Sequence, residues 1–142
     1  MFENEVYPGI KQLLRDLIKQ GVLCLVATSK PEIYAKKILD YYELSNYFYY
    51  IAGANMDGTR TDKAEVIAYA LKQIPAEYSN KKVLMVGDRS HDIIGAKKNG
   101  IDCAGVLFGY GSREELEEAG ADFVADSVEA VRNIVFLNAA KN

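Results

Sequence analysis

The chain has 142 residues, 49% hydrophobic and 26% charged, which suits one globular domain with enough apolar side chains for a core. Seventeen basic residues against 20 acidic ones leave a formal charge of -3. With no basic run among them, nucleic acid is excluded as an expected partner.

The longest apolar stretches, Val22–Ala27 and Val83–Val86, fall far short of the ~20 residues of a membrane helix, so no membrane association is expected. Cys24 and Cys103 lie in apolar runs without the spacing of a metal knuckle or a redox pair, and no signal peptide precedes them. A reduced, cytoplasmic setting is expected.

Along the chain two periodicities alternate. Ile10, Leu13, Leu14, Leu17 and Ile18 recur at helical spacing between Pro8, suited to a first turn, and Gly21, suited to a C-cap, predicting a helix from about Pro8 to Gln20. VLCLVAT, starting at Val22, has no polar alternation and reads as a strand buried on both faces. A helix from Pro31 to about Tyr42 and a weaker strand, FYYIAG, follow. Asp62 and Glu65 form a capping-box pattern ahead of an apolar stripe of Val66, Ile67, Ala70, Leu71 and Ile74. KVLMVG repeats the buried-strand signature. IIGAKKNG reads as a short helix ended by Gly100, and DCAGVL as a strand. Ser112 and Glu115 box the start of a helix at REELEEAG. DFVA is a short last strand, and Val128, Val131, Ile134 and Val135 mark a closing helix. Strand and helix in strict alternation imply parallel strands joined by crossover helices, an α/β three-layer Rossmann-like sheet. Ligands in such sheets bind beyond the carboxyl ends of the strands.

Three of those places carry polar residues suited to a phosphate site. Thr28 and Ser29 end the first strand just before Lys30, Pro31 and Glu32, so a hydroxyl and backbone N–H groups would face an anion there. Equally, Ser29 is a plain helix cap with Glu32 completing its box. Lys63 opens a helix, where a cation opposes the macrodipole unless an anion offsets it; a tolerated surface lysine is the alternative. GDRSHD is the most specific segment. Gly87 allows a sharp turn, and Asp88 and Asp92 are hard carboxylates four residues apart, suited to Mg²⁺. Helix capping by Asp88 accounts for only one of them. His91, between them, reads as a solvated loop-edge residue, since Mg²⁺ prefers oxygen and no second soft ligand is spaced with it. The tyrosines at 41, 42, 47, 49 and 50 read as helix-to-strand packing, with an exposed interface as the competing idea.

Together, ATSKP after a buried strand, Lys63 at a helix start and VGDRSHD after a second buried strand resemble the second, third and fourth motifs of the haloacid dehalogenase-like superfamily. YPGIKQLL and GYGSREEL bring the resemblance nearest to its phosphoglycolate-phosphatase-like branch. The resemblance implies a Mg²⁺-dependent phosphatase acting on a small phosphorylated metabolite. Thr28 and Ser29 would bind the phosphoryl group, Lys63 would stabilise nucleophile and phosphate charge, and Asp88 and Asp92 would serve the metal.

One departure stands beside the match. The family's nucleophile lies on an amino-terminal strand ending in DxDxT, and nothing before Val22 resembles it. The segment MDGTR, Met56 to Arg60, follows no apolar strand directly and reads as a Gly-containing turn. The helical cap that selects substrate in that branch is likewise missing. Residues 1–142 are therefore expected to form a single partial core domain without its central nucleophile strand, and to be inactive alone. The two strands flanking the gap could pair, a complementing chain or self-association could fill it, or the sequence could be part of a longer protein, the preferred outcome. A non-catalytic phosphate-binding or interaction module is the alternative function. A receiver-type or nucleotide-binding domain fits less well, because no acidic pocket at the first strand and no Gly-rich phosphate loop is present.

Overall fold

The computed structural model describes residues 9–140, with side chains to 137. The expected role of Pro8 in a first helical turn lies outside the described residues. The chain divides after Gln73 into two compact units, each described by itself.

The first unit opens with α1, Ile10–Lys19, which buries Leu13, Leu14 and Leu17. Its end explains a difference from the expected strand. Gly21, at φ 82°, donates to the Ile18 carbonyl, and the Val22 N–H donates to that of Leu17 at 2.9 Å. These two bonds are a Schellman closure, so Val22 belongs to the helix end and β1 starts only at Leu25, running to Pro31. Helix α2, Glu32–Tyr41, leads to β2, Tyr50–Ala54, which starts two residues later than FYYIAG predicts because Phe48 closes a 3-10 turn onto Ser45.

β1 and β2 are parallel, with Val26 opposite Ile51 and Ala27 opposite Ala52. Adjacent residues of a strand point to opposite faces, and here each face has its own helices. Val26 and Ile51 share a cluster with Leu14 of α1 and with Ala35 and Leu39 of α2, whereas Ala52 packs with Val66 and Ala70 of α3, Lys63–Lys72. Helix, sheet and helix therefore form three layers in this unit.

In the second unit β3, Leu84–Gly87, β4, Asp102–Val106, and β5, Phe123–Ala125, form a parallel sheet in the order β3-β4-β5. Helices α4, Ser90–Lys98, and α5, Arg113–Ala119, bury Ile93, Ala96 and Leu116 against Cys103 of β4. Helix α6, Val128–Ala140, closes the chain. Burial of β3 on both faces is not realised: Val86 is 40% exposed, and among the described residues β3 pairs with β4 alone, at the end of its sheet. Among the described residues the strands thus form two parallel sheets, with β1 and β3 in different ones.

Among the tyrosines, Tyr42 and Tyr47 pack on the α1–α2 core, and Tyr50 meets Tyr69 of α3 hydroxyl to hydroxyl at 3.0 Å. Tyr41 and Tyr49 are exposed.

Candidate functional site

Polar side chains leave water only where something offsets the desolvation. Among the described residues, the polar or charged side chains that are buried are Thr28, Lys63, Asp88 and Asp92. Thr28 and Lys63 belong to the first unit, Asp88 and Asp92 to the second.

Thr28 sits where β1 leaves register with β2: pairing is regular to Ala27 and irregular before Pro31. Its Oγ1 accepts the Lys30 N–H at 3.2 Å, a local bond that turns the backbone out of the ladder. Ser29 is exposed. The capping reading of Ser29 does not hold, since α2 begins at Glu32 behind Pro31, with no side-chain cap. Glu32 is drawn elsewhere. Its carboxylate accepts the Gly53 N–H at 3.2 Å and lies 3.5 Å from the Arg60 guanidinium and 3.7 Å from Lys36 Nζ. Arg60 also donates to the Gly53 carbonyl at 2.8 Å and lies over the Tyr69 ring at 3.7 Å. Strand β2, the start of α2, and the loop leading to Lys63 are thereby tied together.

That loop contains MDGTR, and it is a turn as predicted. Gly58 has φ 84°, and Asp57 Oδ1 accepts the Thr59 N–H at 3.0 Å and its hydroxyl at 2.7 Å. Those bonds hold the Asp57 carboxyl below its ordinary value. Lys63 is the first residue of α3, behind a complete capping box in which Asp62 accepts the Glu65 N–H at 2.8 Å and Glu65 accepts that of Asp62 at 3.3 Å. The reading of Lys63 as a tolerated surface residue fails, because its side chain is buried.

In the second unit the residue after β3 is Asp88. Arg89, not Asp88, holds the N-cap position of α4. Asp92, in the first turn, bends its Oδ2 back to accept the N–H groups of Asp88 at 3.0 Å and Arg89 at 3.2 Å. Gly87 is needed for a different reason from the sharp turn expected. A Cβ there would stand 2.3 Å from Asp92 Cβ and 2.4 Å from Asp92 Oδ2. Asp88 Oδ2 in turn accepts the Tyr110 N–H at 3.1 Å. Burial pushes the Asp88 carboxyl up, but hydrogen bonding, the Tyr110 amide among the donors, outweighs it and holds the group below its ordinary value. His91 is exposed, with Nε2 3.9 Å from Asp92 Oδ1.

Among the described residues no three His, Cys, Asp or Glu side chains gather into a metal cage. The donors that Asp88 and Asp92 offer are hard carboxylate oxygens. They fit Mg²⁺, which is commonly held by one or two carboxylates and completes its shell with water and phosphate.

Residue spacing did not reveal how Glu115 is used. Ser112 caps α5 by accepting the Glu115 N–H at 3.1 Å, but the Glu115 carboxylate does not complete the box expected of it. It accepts instead from the Ser90 N–H at 2.7 Å and from Arg89 Nε at 2.9 Å.

Among the described residues no helix is long and apolar enough to cross a membrane. The chain is 38% identical over 137 residues to a 5'-nucleotidase of Pseudomonas aeruginosa, covering 95% of this chain and 60% of the relative. It is 41% identical over 121 residues to the tyrosine-protein kinase PtkA of Mycobacterium tuberculosis, covering 85% and 41%. A phosphoglycolate phosphatase of Pseudomonas fluorescens is 32% identical, covering 87% and 44%. The crystal structure of a predicted phosphatase from Clostridium acetobutylicum superposes with a TM-score of 0.85 at 40% identity, covering 94% of this chain and 61% of that one. The chain thus spans about 40 to 60% of the length of these proteins. Residues 2–106 match the profile of haloacid dehalogenase-like hydrolases, and with the α/β fold of its solved relatives this makes the chain a member of that family.

Proposed function

We propose that the chain supplies the phosphate- and metal-binding side chains of a Mg²⁺-dependent phosphomonoesterase that acts on a small phosphorylated metabolite in the cytoplasm. The observation that carries this reading is the burial of Thr28, Lys63, Asp88 and Asp92. The Thr28 hydroxyl and Ser29 bind phosphoryl oxygens, and the Lys63 ammonium offsets the charge that develops on them. Asp88 ligates Mg²⁺, with Asp92 supporting it, and the bound ion supplies electrostatic stabilisation of the transferring phosphoryl group. The family's nucleophile is an aspartate of a DxDxT motif. Because no such motif occurs in the 142 residues, attack on phosphorus and the resulting aspartyl-phosphate require a strand from elsewhere in a longer polypeptide or from a complementing chain. Without it the chain binds but does not turn over.

Calorimetry with inorganic phosphate in the presence of Mg²⁺ tests the binding half. Saturable binding is expected in the wild type and at least a tenfold loss in Lys63→Met, a buried charged hydrogen bond being worth about 1.5–3 kcal/mol. Binding unaffected by Lys63→Met removes that residue from the phosphate site. With the upstream strand restored, Asp88→Asn abolishes hydrolysis of a generic phosphate ester. Turnover by the 142-residue chain alone at rates typical of such enzymes overturns the requirement for that strand.

A further inference from the structure

We propose that Glu115 is a positioning residue for the metal carboxylate Asp88, acting from α5 through the backbone of the Asp88–Ser90 turn. This deepens the function proposed above and rests on its assignment of Asp88 and Asp92 to the metal.

The turn after β3 is held from two sides. From within α4, Asp92 takes the N–H groups of Asp88 and Arg89. The next N–H, of Ser90, would be an orphan at the helix start, and Glu115, 25 residues onward, takes it at 2.7 Å. The same Oε2 takes Arg89 Nε at 2.9 Å, so one carboxylate oxygen grips both main chain and side chain of the turn. Glu115 gives up its own capping box to do so.

The segment leading into α5 closes the same grip. Tyr110 N–H donates to Asp88 Oδ2, and the glycines on either side of it approach too closely to carry side chains. A Cβ on Gly109 would stand 2.3 Å from Asp88 Cβ, and one on Gly111 would stand 2.2 Å from the Asp88 carbonyl oxygen. Three successive N–H groups and one carboxylate are thus fixed before any ion arrives. A cation entering here meets a preset Asp88 and spends no binding free energy ordering the turn, the effect by which outer hydrogen bonds raise metal affinity.

The test is Mn²⁺ titration of the 142-residue chain, followed by paramagnetic broadening of assigned backbone amides, on wild type, Glu115→Ala and Glu115→Gln, with melting temperatures measured beside it. Wild type should broaden around residues 88 to 92. Glu115→Ala should weaken that binding roughly tenfold, as loss of an outer hydrogen bond to a ligand does. Glu115→Gln, which keeps an oxygen for the Ser90 N–H, should stay within about threefold of wild type while matching Glu115→Ala in melting temperature to a few degrees. That rescue separates positioning from plain stability. Wild-type Mn²⁺ affinity in folded Glu115→Ala overturns the role of Glu115 and leaves the metal assignment standing. Wild type that shows no broadening near Asp88 and Asp92 overturns both. If Glu115→Ala does not fold, Glu115→Gln decides through Arg89→Ala: the two should bind Mn²⁺ alike, both lacking the ion pair but keeping the Ser90 bond. A tenfold loss in both would overturn the proposal.

Discussion

Replacing Gly87 by Ala places one methyl group where the molecule has no room for it. Its Cβ would stand 2.3 Å from Asp92 Cβ and 2.4 Å from Asp92 Oδ2, distances that real Cβ contacts do not reach. Asp92 cannot swing aside cheaply, since its side chain is only 5% exposed and Oδ2 holds two backbone N–H groups. Overpacking alone costs about 1–3 kcal/mol. Losing even one of the two bonds to a charged acceptor adds about 1.5–3 kcal/mol. A destabilisation of about 2.5–6 kcal/mol is expected, a large part of a typical domain stability of about 5–15 kcal/mol. Urea unfolding monitored by circular dichroism measures it as a lowered midpoint. Gly87→Ala within about 1 kcal/mol of wild type, at unchanged urea slope, would show that the Asp92 carboxylate is not held as described.

Leu39, 1% exposed between α1, α2 and β1, should cost about 2–5 kcal/mol when cut to Ala and less than about 1.5 kcal/mol as Met, read from the same urea midpoints. Equal losses for the two would mean that filled volume is not what matters there. Burial pushes the Cys24 thiol from 9.0 up to about 11, so the unfolded chain ionises first as pH rises. Between pH 9 and about 11 the native state binds the extra proton. This contribution is therefore whole below pH 9 and is lost toward pH 11, by about 2 kcal/mol or less after allowance for partial exposure. Cys24→Ser should show a shallower fall in urea midpoint from pH 8 to pH 10 than wild type, and parallel falls would contradict the assignment.

Most of the fold was legible in the order of residues because helical stripes, capping patterns and apolar runs are local signals. Asp62 and Glu65 form the box their spacing announces, and Val66, Ile67 and Ala70 lie buried on the stripe their periodicity predicts. Strand starts were less legible. Val22 and Phe48 have strand-like side chains, but their N–H groups close the end of α1 and a 3-10 turn. The candidate site was legible as residue types, Thr28, Lys63, Asp88 and Asp92, each at a strand end or helix start.

What only the tertiary structure decided is how those residues are held. By spacing, Ser29, Glu32 and Glu115 all read as capping residues, and such a pattern cannot tell whether a carboxylate turns to its own helix or across to another element. Glu32 turned to Gly53 and Arg60, and Glu115 to Arg89 and Ser90. The glycines at 87, 109 and 111 are explained by atoms of Asp88 and Asp92 that crowd them, up to 23 positions away in the case of Gly111 and Asp88. By itself the sequence determined which residues carry hydroxyl, ammonium and carboxylate groups and on what kind of element, since both follow from local chemistry. Their burial and their hydrogen-bond partners depend on contacts between distant segments, which exist only once the chain has folded.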